Sequence, residues 1–201
     1  MTTGSSERPN PPDEALVKAA QAGGMEAFEE LVARHRDKMY ARAFSIVRNE
    51  EEALDVSQDA WIKAWQRLGQ FEGDSTFTTW LTRIVINLCL DRLRRTGRFR
   101  TEPLPEQQDE PGAWERLLPP VWPEPTARLE RNELRARIDE ALGKLSDAHR
   151  TVLVLHEFED MGYKEIARTV GISIGTVMSR LFYARRRLAS LLAGLKEERS
   201  S

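Results

Sequence analysis

The chain has 201 residues, of which 40% are hydrophobic and 31% charged, with a net charge of −2. Those proportions suit one medium or two small helical domains and argue against an intrinsically disordered chain. The single cysteine, Cys89, sits in an apolar run; it excludes an internal disulfide and a cysteine-based zinc site, and reads as a small buried hydrophobe.

Residues 1–12, rich in Ser, Pro and Thr, predict a disordered N-terminus without the apolar core of a secretory signal. No later run approaches the roughly 20 apolar residues of a membrane span, so no membrane insertion and a cytoplasmic location are expected. From Asp13 the pattern becomes helical. Asp13 is placed to cap a helix carrying Leu16, Val17 and Ala20, which Gly23 and Gly24 end. A long amphipathic helix follows, with Phe28, Leu31, Val32, His35, Met39, Ala43 and Ile46 on one face. A third helix is expected from about Glu50 to Leu68, with Ala53, Val56, Ala60, Trp61, Ala64 and Trp65 as its apolar positions. A glycine-containing loop, Gly69 to Ser75, leads into a fourth helix carrying Trp80, Leu81, Ile84, Val85, Leu88 and Leu93.

The composition then changes. Residues 101–125 are proline-dense, and between Thr101 and Ala127 six acidic residues face one basic residue. Proline at that density blocks helix and sheet alike, which predicts a flexible acidic linker, though Trp114 and Trp122 make it more apolar than a plain spacer. Helices resume at about 126–143, 146–158, 163–170 and 174–195, and 197–201 read as a disordered tail. No stretch alternates as a strand would. The expected fold class is all-α: two small helical domains, 13–100 and 126–196, joined by the linker.

The most specific pattern is Tyr163 to Phe182, with the spacing of a helix-turn-helix. Ala167 lets two helices approach closely, Gly171 suits the positive φ of a tight turn, and Val177 plugs the space between the helices. Gly162 stands at the cap of the first helix, without a side-chain acceptor, and Ser173 at the cap of the second. If Val177, Leu181, Ala184 and Leu188 face inward, the opposite face shows Gly175, Thr176, Ser179, Arg180, Tyr183 and Arg186. Between Ile174 and Ala189 there are four arginines and no acidic residue. A recognition helix needs this distribution: short residues near its start to meet base edges and cations further along to meet phosphates. Arg180 is a candidate for a bidentate guanine contact or a phosphate contact. On a purely structural hairpin the same arginines would form a solvated face; the coincidence of spacing, cap and arginine bias favours DNA.

At these residues the chain resembles a known family. LSDAHRTVLVLHEFEDMGYKEIARTVGISIGTVMSRLFYARRRL resembles the promoter −35-binding domain of sigma factors. DVSQDAWIKAWQRLGQF followed by FTTWLTRIVINLCLDRLRR resembles the domain that binds the polymerase clamp and opens the −10 element. The pair, in this order, is similar to the extracytoplasmic-function (ECF) group of the sigma-70 family. The resemblance implies a non-enzymatic transcription initiation factor, acting in a stress or envelope response, with core RNA polymerase and promoter DNA as partners and an anti-sigma factor as regulator. It places Asp55, Val56, Gln58, Asp59 and Trp61 in the segment that docks on polymerase, and the acidic run from Glu50 to Asp59 suits a basic partner helix, while Trp61 and Trp65 are expected to lie largely in the core. It places a specificity loop at Phe71 to Phe77, where Glu72, Asp74, Ser75 and Thr76 are the candidates for contacts to an extruded −10 base, with Phe71 and Phe77 packing beneath. The cation-rich strip of Arg92, Arg94, Arg95, Arg98 and Arg100 suits single-stranded DNA beside that loop, and Asn87 matches a polar position of the family in this helix, either as a −10 contact or in a buried capping or hydrogen-bonding role. In the −35 helix the implied contacts are Ser173, Gly175, Thr176, Met178, Ser179, Arg180, Phe182, Tyr183 and Arg186. Met178 and Tyr183 stand where many relatives carry basic residues, so the preferred −35 sequence does not carry over. In the family the linker threads toward the RNA exit path, where its acids would mimic nucleic acid.

No Walker loop, dinucleotide fingerprint, nucleophile elbow or metal-ligand spacing is present, so no cofactor and no small-molecule substrate is expected. Two other readings remain open. One is a stand-alone helix-turn-helix regulator that binds an operator without polymerase, residues 13–100 being a sensing or dimerisation module. The other is a protein-interaction adaptor whose basic strips are incidental.

Overall fold

Short polar caps set the starts of three helices in this chain, and Pro12 precedes a fourth. The computed structural model describes residues 11–99 and 128–197. Helix α1 (Asp13–Gln21) begins behind Pro12, whose carbonyl accepts from Ala15 and Leu16 at 3.0 and 3.2 Å. Asp13 is therefore inside the first turn and does not cap the helix, contrary to the sequence expectation. Its carboxylate crosses instead to α2 (Met25–Val47), where it meets Arg34 Nη1 at 3.3 Å and His35 Nε2 at 2.6 Å. Gly23, at φ +96°, makes the turn between α1 and α2. Gly24 follows so close to α1 that a Cβ would lie 2.9 Å from the Ala19 carbonyl oxygen, a position only glycine can take.

Helix α3 (Glu50–Arg67) is capped by Asn49, whose side-chain oxygen accepts from Glu52 N at 2.9 Å. Glu50, Glu51 and Glu52 fill its first turn, where the helix dipole favours negative charge. A single 3-10 turn (Leu68–Gln70) extends α3 and gives way to the loop before α4 (Phe77–Arg95). The second half of the chain folds as α5 (Arg128–Gly143), α6 (Asp147–Glu157), α7 (Tyr163–Val170) and α8 (Ile174–Glu197). Among the described residues there are helices and turns and no strand, so the all-α fold class holds. Residues 1–10, the expected linker with its tryptophans, and 198–201 lie outside the described residues.

The chain divides into two units. Among the described residues the first comprises 11–44 and 49–88. In it α1 contributes Leu16, Val17 and Ala20 to a core with Phe28, Leu31 and Met39 of α2, Ala53, Val56, Ala60 and Trp61 of α3, and Phe77, Leu81 and Val85 of α4, all buried. Gln21 Nε2 donates to the carbonyls of Leu68 and Phe71, both at 2.9 Å, which ties the end of α1 to the foot of the loop. Among the described residues the second unit comprises 45–48, 89–99 and 128–197, and so takes in the last turn of α2 and the end of α4. In it α5, α6 and α7 all pack on α8, around Leu142, Val152, Leu155, Ile166, Val177, Leu181 and Ala184. No helix among the described residues is long and apolar enough to cross a membrane.

Candidate nucleic-acid interface

In the second unit, the turn between α7 and α8 has the geometry that its spacing predicts. Gly171 closes α7 in the left-handed region at φ 75° and ψ 39°, and its amide donates to Ala167 O at 2.9 Å. Ile172 N shares the same acceptor at 3.0 Å, so the turn satisfies α7's terminal carbonyls before the chain reverses. Ala167 and Val177 are buried where the two helices meet. Gly162 caps α7 through its backbone carbonyl alone, which Glu165 N meets at 2.9 Å.

Helix α8 starts at a side-chain cap. Ser173 Oγ accepts from Thr176 N at 3.0 Å, and its hydroxyl pairs with Thr176 Oγ1 at 2.8 Å. Ser173, Ile174, Gly175 and Met178 are exposed, and the first turn holds no acidic residue. Ser179 Oγ donates back to Gly175 O at 3.0 Å and Thr176 O at 3.2 Å. Phe182 and Tyr183 are half-buried with rings 5.2 Å apart, while Arg186 is exposed. Arg180 departs from its expected place on the open face. It is only 4% exposed, and its guanidinium lies 5.4 Å from the Phe99 ring centroid. The reason is angular: Arg180 follows Val177 by three residues and precedes Leu181 by one, so it starts on the inner flank of α8.

In the first unit, the loop 71–76 stands on a file of aromatic rings. Phe28 meets Trp61 edge-on at 5.8 Å, Trp61 lies 6.4 Å from Phe77, and Phe77 lies 6.2 Å from Phe71 and 5.8 Å from Trp80. Phe71 and Phe77 thus pack beneath the loop. Glu72, Asp74 and Thr76 are exposed and Ser75 is half-buried. Gly73 turns the loop at φ +86°. The Thr76 hydroxyl caps α4, accepting from Thr79 N at 3.1 Å, so that side chain has a structural task the sequence reading did not assign it. Asn87 is exposed.

Arg92 is half-buried and Arg95 exposed at the end of α4, in the second unit. Arg94, though exposed, pairs with Asp91 at 3.2 Å and donates to Val170 O at 3.1 Å. Arg98 pairs with Asp147 at 2.8 Å. Arg100 lies outside the described residues.

On α3 the expected polymerase-docking residues separate into two sets. Asp55, Gln58 and Asp59 face solvent. Val56 and Trp61 are buried in the core of the first unit, Trp61 edge-on to Phe28 of α2, which is the core role expected of that tryptophan. Two residues that the sequence reading missed share the exposed face. Leu54 is 51% exposed and Ile62 57% exposed, at positions four residues before and four after Gln58. The signal is present in the sequence, as apolar residues at helical spacing inside an acidic run.

Residues 31–99 match Sigma-70 region 2 and residues 135–188 match Sigma-70, region 4. The RNA polymerase sigma-H factor of Pseudomonas aeruginosa is 35% identical over 92% of this chain and 96% of its own length. The ECF RNA polymerase sigma factor SigM of Mycobacterium tuberculosis (strain H37Rv) is 34% identical over 91% of this chain and 86% of its own. Among solved structures, CnrH in complex with the cytosolic domain of CnrY aligns at a TM-score of 0.50 and 32% identity, covering 90% of this chain and 97% of that one. The chain belongs to the ECF group of sigma-70-family RNA polymerase sigma factors.

Proposed function

We propose that the two halves of this sigma factor divide promoter recognition between them. Residues 126–196 dock the start of α8 in the major groove of the −35 element, and residues 13–100 bind core RNA polymerase and hold the opened −10 element. The segment 101–125 links them as an acidic tether through the polymerase. Directing RNA polymerase to promoters is the activity of the family to which the chain belongs. The observation that carries the −35 assignment is the exposed, acid-free first turn of α8, held behind the left-handed turn at Gly171.

In this reading Ser173, Gly175, Thr176, Met178 and Ser179 meet base edges and nearby phosphates, and Phe182, Tyr183 and Arg186 border them. The loop residues Glu72, Asp74 and Ser75 contact an extruded −10 base, with Thr76 shaping the loop, and Asn87, Arg92, Arg94 and Arg95 follow the backbone. Asp55, Gln58 and Asp59, with Leu54 and Ile62, form the polymerase-docking face. The protein contributes affinity and duplex opening; polymerase contributes all phosphodiester chemistry, and the site of action is the cytoplasm. Two modest sites joined through one polymerase act at high effective concentration, so small modules suffice. An anti-sigma factor that covers these faces would hold the protein inactive; CnrH is itself seen with the cytosolic domain of CnrY. A stand-alone regulator is not favoured, because region 2 accounts for residues 31–99.

The test is run-off transcription with purified core polymerase on genomic promoter fragments, with and without the protein. Protein-dependent transcripts from defined starts are expected. Failure to bind core at all would overturn the reading.

A further inference from the structure

Gln21 is the last residue of α1 and is exposed, so its side chain adds nothing to the core of the first unit. It nevertheless bridges two distant parts of that unit's sequence. Its Nε2 donates to Leu68 O and to Phe71 O, both at 2.9 Å, across separations of 47 and 50 residues. Both partners are carbonyl oxygens, which only accept, so both N–H donors of the amide are engaged. Leu68 O also accepts from Phe71 N at 3.1 Å, which closes the 3-10 turn. Helix α1 is itself held at its other end: Arg34 Nη1 donates to Pro11 O at 2.7 Å, and Asp13 meets His35 at 2.6 Å. The amide therefore projects from a helix that is pinned to α2, not from a free end.

The two ends of Phe71 are held by different elements. Its ring packs 5.2 Å from Trp80 and 6.2 Å from Phe77, both of α4, while its carbonyl is held by α1. A peptide unit is planar, so fixing Phe71 O fixes the plane it shares with the Glu72 amide, and with it the direction in which the chain enters the loop. At the other side the loop is fixed by Thr76, whose hydroxyl accepts from Thr79 N at 3.1 Å. Only Glu72, Gly73, Asp74 and Ser75 lie between these anchors, so a rotation at Phe71 passes directly to the side chains assigned above to the extruded base. We propose that Gln21 is a positioning residue for −10 base selection: it touches no DNA and sets the entry angle of the loop that does. A contact group must be held to within about half an ångström to tell one base edge from another, and hydrogen bonds from behind supply that rigidity. Gln21 lies outside the residues 31–99 matched to Sigma-70 region 2, so α1 adds to the specificity of a module whose matched part begins after it. The proposal rests on the reading of 72–76 as the −10 loop.

The test uses the full chain assembled with core polymerase. The probe is a single-stranded non-template oligonucleotide covering the −10 element of a promoter mapped by run-off transcription, with every base placed in turn at each position. The readout is the ratio of affinities for the best and the worst base at the position where the wild type discriminates most, with affinity for a −35 duplex measured alongside. A ratio cancels the uniform effect of an added charge on DNA affinity. Gln21→Ala removes both donors, and Gln21→Glu puts acceptors in their place at the same size. Each should lower the ratio about fivefold, the scale of one lost hydrogen bond, and leave the −35 duplex unaffected. Gln21→Lys returns N–H donors on a longer stem and should bring the ratio back to within about twofold of the wild type. A role confined to stability would lower the unfolding midpoint of Gln21→Ala and leave its ratio unchanged, and that result overturns the proposal. So does a loss that Gln21→Lys fails to restore. A wild type that discriminates at no position faults the loop assignment itself, whereas a discriminating wild type matched by Gln21→Ala and Gln21→Glu faults the role of Gln21 alone.

Discussion

Ser173 Oγ accepts from the Thr176 amide at 3.0 Å, so the residue that begins α8 also sets the conformation in which its first turn is offered to DNA. Ser173→Ala should cost about 1 kcal/mol of stability, the usual worth of a serine cap, and weaken −35-dependent transcription. Ser173→Asp should restore the stability but not the transcription, because it restores the acceptor while adding negative charge beside phosphates. Thermal unfolding and run-off transcription measured together separate the two effects.

Gly171 and Gly162 should respond in opposite directions. Gly171 sits at φ +75°, and a Cβ there would come no nearer than 3.9 Å to Arg94 Nη2, so Gly171→Ala meets backbone strain rather than a clash. The expected loss is about 1 kcal/mol. Gly162 has φ −72° and open space at its Cβ; Gly162→Ser supplies the missing cap oxygen and should gain a few tenths of a kcal/mol. Chemical denaturation midpoints check both.

The docking face of α3 should separate binding from folding. Leu54→Ala and Ile62→Ala remove exposed side chains and should leave the unfolding midpoint nearly unchanged, while each weakens affinity for core polymerase by about tenfold. Val56→Ala, at a buried position, should cost about 2 kcal/mol of stability with no direct effect on docking. Affinity for core, measured by fluorescence anisotropy beside a melting curve, distinguishes the classes.

Thr76→Ala removes the hydroxyl that caps α4 and should cost about 1 kcal/mol. The loss should appear in promoter opening, followed by permanganate reactivity of −10 thymines, with no change in affinity for a −35 duplex.

Much of this architecture was legible because helix periodicity and turn chemistry are local. The Ala167–Gly171–Val177 spacing predicted the helix-turn-helix, and the left-handed Gly171 and buried Val177 are its direct expression. Helix ends near Gly143 and Val170 were readable for the same reason. Side-chain destinations were less so. Asp13 looked like a cap from sequence, but Pro12 starts α1 one residue earlier and releases the carboxylate to Arg34 and His35. Arg180 belonged by composition to a basic face, yet its burial depends on Phe99, some eighty positions away in sequence. Periodicity ranks residues by the face they share and carries no information about which distant group will cover that face. The same limit left Leu54 and Ile62, exposed on α3, outside the sequence reading.

The file of rings from Phe28 through Trp61 to Phe77, Phe71 and Trp80 bears on how promoter preference can be re-engineered. The loop is short and polar at its tip, which invites transplantation of residues 72–75 alone between sigma factors. Its foot, however, is an aromatic lattice contributed by three helices. A transplant into a scaffold with different rings would arrive on a different footing and point its side chains elsewhere. The portable cassette is therefore the tip together with Phe71, Phe77 and Trp80, in a recipient that already offers a ring at the place of Trp61.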